Sequence, residues 1–267
     1  MTDKTRIALL GATGRMGLSL IREIHDNPRA MLCGAIAAPA HKGRDVSEMA
    51  GLKPSGIIAD SNLRAVLDDC DVLIDFSTPQ TAIDAALMMH DVRCDALVSG
   101  TTGFSGAEER AFDAAAESVC VVRSGNFSLG VNVLTALVER AAKSLPPEFD
   151  IDILDIHHKH KADAPSGTAL MLGEAAAKGR GQPAPTARNL RRNQPRKDNE
   201  IGFAAMRIGG VIGDHDVSFG SEMETLTLSH RALDRAVFAR GALTAALWAA
   251  NQKAGHYDMR DVLGLTQ

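Results

Sequence analysis

Short apolar runs alternate with helical stretches through the first half of the chain. The runs are rich in Val, Ile, Leu and Ala, and the stretches between them repeat apolar residues at helical spacing. This alternation is typical of a parallel sheet built from βαβ units, in which both faces of each strand are buried. The predicted strands are residues 6–10, 30–36, 71–76, 95–99 and 119–123.

The pattern changes at about residue 130. Residues 130–144 predict a helix that stops at a Pro-Pro pair, and residues 149–153 alternate strictly between apolar and polar, as in a half-buried strand. Short strands are predicted at 203–208, 215–219 and 224–228, a helix at 236–250, and a long exposed arginine-rich loop at 179–197. We therefore expect an α/β chain with a Rossmann-like first domain and a second α+β domain.

Composition removes several classes of protein. Hydrophobic residues make up 45% and charged residues 23% of the 267, which are globular values. The net charge of -4 argues against a general nucleic-acid or membrane-surface binder. The first ten residues contain neither a signal-peptide core nor a membrane span, so a cytoplasmic location is expected. The four cysteines are isolated and have no metal or redox spacing.

A glycine turn follows the first predicted strand. Gly11, Gly14 and Gly17 form a G-x-x-G-x-x-G pattern that leads directly into an amphipathic helix. Glycine lets the backbone approach a pyrophosphate, whose charge is stabilised at the helix N-terminus. Because other predicted strands also end in small or polar loops, dinucleotide binding is favoured over a purely structural turn.

The residues after the second predicted strand indicate whether the protein prefers NAD or NADP. An acidic residue there usually accepts from the ribose 2′-hydroxyl of NAD, and none is present at residues 36–44. His41, Lys42, Arg44 and Arg15 could instead surround a 2′-phosphate, although each could equally face solvent. The sequence therefore favours NADPH over NADH.

The densest chemistry lies at residues 155–169. Three histidines and two lysines occupy residues 157–161, and Ser166, Gly167 and Thr168 open a predicted helix. A metal site is disfavoured because adjacent histidines on an extended segment point to opposite sides. Free N–H groups and hydroxyls at a helix start can bind a carboxylate, and histidine can transfer a proton near neutral pH. The cluster indicates an anion site with a proton donor, with an exposed charged loop as the alternative.

Together these motifs resemble one family, the bacterial 4-hydroxy-tetrahydrodipicolinate reductases, also called dihydrodipicolinate reductases, of the diaminopimelate and lysine pathway. The resemblance covers nearly the whole chain, and the histidine block followed by Asp-Ala-Pro-Ser-Gly-Thr is its most specific part. Its motifs are residues 11–17, 75–77, 100–104, 126–132, 157–168 and 257–263.

The resemblance implies that residues 1–129, completed by 241–267, bind the nicotinamide cofactor. It also implies that residues 130–240 bind a cyclic dicarboxylate and assemble a homotetramer. Proton donation is assigned to His157 and Lys161. The implied cofactor-binding residues are Gly11, Ala12, Thr13, Gly14, Arg15, Met16, Ala38, Gly100, Thr101, Thr102, Ser124, Gly125, Asn126 and Phe127, and the substrate-binding residues are His158, Lys161, Ser166, Gly167 and Thr168.

One position departs from the family pattern. Members that use NADH well carry an acidic residue near Ala38, so cofactor preference stays open between NADPH and NADH. Three other functions stay open as alternatives: a semialdehyde or homoserine dehydrogenase, a nucleotide sensor without catalysis, and a metal-dependent hydrolase using His157, His158 and His160. The first alternative would need a nucleophilic cysteine, for which Cys120 in an apolar strand is a poor candidate.

Overall fold

The computed structural model describes residues 4–185 and 195–265, and the chain divides into two compact units. Unit 1 comprises Met1–Leu129 and Ala236–Gln267, and unit 2 comprises Gly130–Arg235. The second change of unit falls at Ala236, where a helix begins, rather than at residue 241.

The described residues form ten strands and nine α-helices. The strands are β1 (Thr5–Leu10), β2 (Ala30–Ile36), β3 (Val72–Asp75), β4 (Ala96–Ser99), β5 (Cys120–Arg123), β6 (Asp150–His157), β7 (Ile201–Arg207), β8 (Asp214–Gly220), β9 (Thr225–Arg231) and β10 (Gly255–Tyr257). The helices are α1 (Arg15–Asp26), α2 (Val46–Met49), α3 (Leu63–Leu67), α4 (Pro79–Met88), α5 (Gly106–Ala116), α6 (Leu129–Ser144), α7 (Gly167–Arg180), α8 (Ala236–Ala249) and α9 (Met259–Val262).

Unit 1 is built on a six-stranded parallel sheet of order β10-β5-β4-β3-β1-β2. Helices cover both faces, and this double cover explains why the strands are apolar on both sides. α1 and α8 contribute to the core on one face, and α4 and α5 to the core on the other. The predicted Rossmann-like α/β fold is confirmed, and β10 brings the C-terminal segment back to the edge of this sheet.

Register explains how the sheet builds a crevice. Ile36, Leu10, Asp75, Ser99 and Arg123 lie in one row across β2, β1, β3, β4 and β5. The loops that follow all five strands therefore leave the sheet at the same edge. Because the chain order reverses between β1 and β3, this edge is the place where open α/β sheets bind their ligands.

Unit 2 contains a mixed sheet of order β7-β6-β8-β9, in which β6 pairs parallel with β7 and antiparallel with β8, and β8 pairs antiparallel with β9. One face carries Ile153, Val217 and Phe219, which pack with apolar residues of α6 and α7. Strict alternation along β6 places Asp155 and His157 on this same buried face. The second-domain α+β prediction is confirmed, and β6 ends four residues later than expected because the alternation continues to His157.

The stretch predicted as an exposed loop, residues 179–197, is only partly one. α7 continues to Arg180, and Arg196 pairs with Asp150 and Asp152 instead of merely facing solvent. Arg188, Arg191 and Arg192 lie outside the described residues. Within the part of the chain that the structure describes, no helix has the length and apolar character needed to cross a membrane.

Candidate functional site

The glycine turn of unit 1 is shaped by close backbone contacts. Gly11 has a φ of +81°, and a Cβ on it would lie 2.4 Å from the carbonyl oxygen of Phe76. A Cβ on Gly17 would lie 2.4 Å from the carbonyl oxygen of Ala12, so α1 can only begin where it does with glycine at this position. Gly14 precedes α1, and no described side chain caps this helix. The resulting backbone cradle at a helix N-terminus fits the pyrophosphate of a dinucleotide.

A buried carboxylate joins the neighbouring strand ends. Asp75 is fully buried and accepts hydrogen bonds from the hydroxyls of Ser77 and Ser99, at 2.5 and 2.7 Å. The backbone N–H of Ser77 also donates to Thr101 Oγ1 at 3.0 Å. These bonds fix the loops after β3 and β4 relative to each other. Asp75 belongs to the motif at residues 75–77, but the sequence did not indicate this role.

A cavity of about 290 Å³ opens beside these loops. One wall is the guanidinium of Arg123, which lies over the rings of Phe112 and Phe104 at 4.2 and 5.0 Å and pairs with Glu109. The lining residues are Ser99, Thr101, Thr102, Gly103, Phe104, Glu109, Arg123, Ser124 and Gly125. Four residues predicted to contact the cofactor, Thr101, Thr102, Ser124 and Gly125, thus line one cavity.

The other predicted cofactor residues lie along the same edge. Phe127 is buried and packs edge-on against Phe76, with 5.7 Å between ring centroids, while Asn126 donates its backbone N–H to the Ser124 hydroxyl. Ala12 is buried beneath the glycine turn, whereas Arg15 is exposed and Met16 half-buried. A Cβ on Gly100 would lie 2.2 Å from the Phe76 ring.

The basic residues near the end of β2 differ in their contacts. His41 Nδ1 lies 2.7 Å from Thr13 Oγ1 in the glycine turn, and Lys42 pairs with Asp60 at 3.5 Å. Ala38 and Arg44 are exposed. The four basic residues predicted near a 2′-phosphate are His41, Lys42, Arg44 and Arg15. Within the described structure, His41 is the one whose side chain is hydrogen-bonded to Thr13 of the glycine turn.

In unit 2 the predicted histidine lies at the end of β6. His157 is 8% exposed, and its Nδ1 lies 2.6 Å from Oδ1 of the fully buried Asp155. The His157 ring stands edge-on to His215, with 5.2 Å between centroids. Asp155 belongs to the predicted cluster at residues 155–169 but was given no role there, although its i, i+2 spacing from His157 indicates a shared face. His215 was not predicted as a site residue.

The predicted anion site lies at the start of α7. The Ser166 hydroxyl caps the helix by accepting from the N–H of Ala169 at 3.1 Å. Gly167 is exposed, with space around its Cα, and Thr168 is half-buried. The fourteen-residue helix thus presents its N-terminus at an open position, which favours an anion.

Lys161 and His158 lie on the turn that links His157 to α7. Lys161 Nζ lies 2.9 Å from Asp163 Oδ1, and the lysine's hydrogen bond and charge hold the pKa of Asp163 below its usual range. Desolvation and the cationic Arg235 lower the pKa of His158. The half-buried cation of Lys161 and the imidazole of His158, whose pKa is lowered, therefore lie on the same turn after His157.

The metal and cysteine alternatives can be compared with these positions. Among the described residues, the histidines and acidic groups close enough to share an ion are Asp155, His157 and His215, whose ligand atoms lie within 4.8 Å, and not the three neighbouring histidines. Cys120 is buried in β5, and burial raises the pKa of its thiol to about 12, which makes it a poor nucleophile.

Comparison with known proteins gives the same family for both units. The family model for the N-terminus of dihydrodipicolinate reductase matches residues 5–127, and the model for its C-terminus matches residues 130–263. A 4-hydroxy-tetrahydrodipicolinate reductase of Rhizobium rhizogenes is 50% identical, covering 99% of this chain and 98% of that protein. The enzyme of the same name from Parvibaculum lavamentivorans is 45% identical, covering 99% of this chain and all of that protein.

Solved structures share the fold. A dipicolinate-bound dihydrodipicolinate reductase from Paenisporosarcina superposes with a TM-score of 0.76 at 22% identity, covering 96% of this chain and 97% of the other. An amine dehydrogenase from Mycobacterium smegmatis gives 0.65 at 13% identity, covering 96% of this chain and 95% of the other. The family models span both units and the relatives match over nearly their full length, so the chain belongs to the dihydrodipicolinate reductase family.

Proposed function

We propose that this protein reduces 4-hydroxy-tetrahydrodipicolinate to tetrahydrodipicolinate with NADPH or NADH, in the diaminopimelate route to lysine. Family membership over both units supports the reaction. The observation that carries the proposal is the pairing of a buried imidazole with a carboxylate, next to an open helix N-terminus in unit 2. A dehydrogenase that uses a cysteine nucleophile is not supported by the buried Cys120.

The nicotinamide cofactor, when bound, supplies the hydride. The backbone around Gly11 and Gly14 would hold its pyrophosphate, and Thr101, Thr102 and Ser124 would line the place for its nicotinamide end. The remaining predicted residues around these two places, from Ala12 to Met16 and from Gly125 to Phe127, shape the same edge of the sheet. An exposed Ala38, with His41 held nearby by Thr13, supports NADPH as the preferred form.

Binding of the substrate dicarboxylate is assigned to unit 2. Lys161 supplies a cation, His158 a hydrogen-bonding imidazole, and the backbone N–H groups of Gly167 and Thr168 a positive helix end. Ser166 contributes through its cap, which fixes the first turn of α7. The two carboxylates of the substrate ring can therefore bind to separate groups of the protein.

Proton transfer is assigned to His157. The ring 4-hydroxyl leaves as water, hydride adds to the conjugated imine, and negative charge then develops on the ring. His157 donates the proton that quenches this charge, while Lys161 stabilises it electrostatically. The balanced reaction consumes the reduced cofactor and one proton and releases the oxidised cofactor and water.

The proposal includes a homotetramer in the cytoplasm. The sheet face of unit 2 opposite α6 and α7 carries the apolar side chains of Leu154, Ile156 and Met206, and Met206 is 46% exposed. A second copy of the same sheet would cover such a face without leaving backbone groups unpaired. Sedimentation of the purified protein tests the tetramer.

The test is a coupled assay in which a synthase makes the substrate from pyruvate and aspartate semialdehyde, and the loss of reduced cofactor is followed by absorbance. We expect oxidation that depends on the synthase product. His157→Gln should lower kcat by about 10²–10⁴-fold with little change in KM, and Lys161→Ala should impair both. His160→Gln, an exposed histidine of the same turn, is the matched control and should leave kcat unchanged. If the protein binds the cofactor but does not reduce the substrate, a nucleotide sensor without catalysis becomes the better interpretation.

A further inference from the structure

The carboxylate of Asp155 is surrounded by partners from four parts of unit 2. It is fully buried, and Oδ2 accepts the N–H of Ser166 at 2.7 Å and the guanidinium of Arg207 at 3.1 Å. Oδ1 lies 2.6 Å from His157 Nδ1 and 3.5 Å from His215 Nε2. Each oxygen therefore has a separate set of contacts, and Oδ1 is the one that faces the imidazoles.

The charges of this cluster can be assigned from its surroundings. Although burial by itself would raise the pKa of Asp155, its contacts with His157, Ser166 and Arg207 hold that pKa well below its usual range, so the carboxylate stays ionised. Burial lowers the pKa of His215 to about 4 and outweighs the attraction of Asp155, so His215 is neutral at neutral pH. His157 is the remaining imidazole on which the negative Oδ1 can act.

We propose that Asp155 is a positioning residue that keeps Nδ1 of His157 beside Oδ1, 2.6 Å away, and thereby directs Nε2 as the atom that delivers the proton. This inference rests on the proposed function, in which His157 is the proton donor. Arg207 and Ser166 orient the carboxylate by occupying Oδ2, and the edge-on ring of His215 limits rotation of His157.

The position of Gly213 supports this assignment. A Cβ on Gly213 would lie 3.0 Å from His157 Nε2 and 3.6 Å from Cδ2, so the missing side chain keeps space beside the proposed donor atom. A divalent cation is a poorer occupant of the Asp155, His157 and His215 cluster. The guanidinium of Arg207 already neutralises the carboxylate and would repel a metal ion.

The first experiment is a double-mutant cycle on the full-length protein. Asp155→Asn keeps the shape of the side chain and removes its charge, and kcat should fall by about 10²-fold or more, as for loss of a general acid. The double variant Asp155→Asn/His157→Gln should be no slower than His157→Gln alone, because both changes remove one function. Additive losses would overturn the proposal.

A comparison of kcat with ligand binding separates positioning from a merely structural role. In Asp155→Asn the imidazole of His157 loses the carboxylate that orients it, so kcat should fall. The dissociation constant of dipicolinate should stay close to that of the wild type. Asp216→Asn is the matched control, since Asp216 is an arginine-paired carboxylate next to His215 that does not contact His157. A loss of dipicolinate binding as large as the loss of kcat would contradict the proposal.

A measurement on the wild-type protein remains decisive even if Asp155→Asn fails to fold. Two-bond ¹H–¹⁵N spectra of histidine-labelled protein above neutral pH report the tautomer, and the signals lost in His157→Gln assign that residue. We expect the Nδ1–H tautomer for His157, and the Nε2–H tautomer would overturn the proposal. If His157→Gln keeps wild-type kcat, the proposed function of His157 fails, whereas normal kcat in Asp155→Asn alone refutes only the inference about Asp155.

Discussion

Acid should destabilise this protein through one buried histidine. His215 is 3% exposed on β8, with Nε2 3.2 Å from the Ser166 hydroxyl, and burial lowers its pKa from 6.5 to about 4. The unfolded chain therefore takes up a proton on His215 at a pH where the folded protein does not. The depressed pKa means that stability is lost as pH falls from about 6.5 toward about 4.

The magnitude follows from the size of this shift. A difference of about 2.5 pKa units corresponds to about 3 kcal/mol when complete, at about 1.4 kcal/mol per unit. Between about pH 7 and about pH 5, the linkage relation gives a loss of about 2 kcal/mol in the free energy of unfolding. His215→Gln removes this titration while keeping a polar group near Ser166.

Urea unfolding at both pH values, for the wild type and His215→Gln, measures the difference. We expect the pH-dependent loss to be about 2 kcal/mol smaller in the variant. His160→Gln is the control, because an exposed histidine should not change the pH-dependent loss. Equal losses in the wild type and His215→Gln would refute the reasoning.

Three further substitutions test individual features. Gly11→Ala places a Cβ 2.4 Å from the carbonyl oxygen of Phe76 at a φ of +81°. The variant should therefore bind the dinucleotide at least tenfold more weakly, a loss of about 1.4 kcal/mol, as measured by fluorescence quenching or titration calorimetry. Ala38→Asp adds a carboxylate that accepts from a 2′-hydroxyl and repels a 2′-phosphate, so the ratio of kcat/KM for NADH to that for NADPH should rise; an unchanged ratio would show that Ala38 lies away from the ribose. Gly213→Ala crowds His157 Nε2, and kcat should fall while the free energy of unfolding changes by less than about 1 kcal/mol.

Local pattern was sufficient for most elements of the fold. The apolar runs located β1 to β5, five of the six strands of the first sheet, to within one residue at each end, because strands buried on both faces must be continuously apolar. The short edge strand β10 was not predicted. The strict alternation that begins at Phe149 indicated β6, and the glycine spacing indicated the turn before α1. The parallel direction of β1 to β5 also followed from the alternation of strands and helices, whereas their order in the sheet did not.

Contacts between residues distant in sequence were determined only by the tertiary structure. His215 lies 58 residues after His157, and nothing in the spacing brings the two rings to 5.2 Å. The bonds of Asp75 to Ser99, and of His41 to Thr13, likewise depend on the register of neighbouring strands and on where the loops leave the sheet. Sequence identified the residue types able to bind a dinucleotide and donate a proton. Folding decided which carboxylate faces His157, because hydrogen bonding and burial at that site depend on four separate segments meeting in one place.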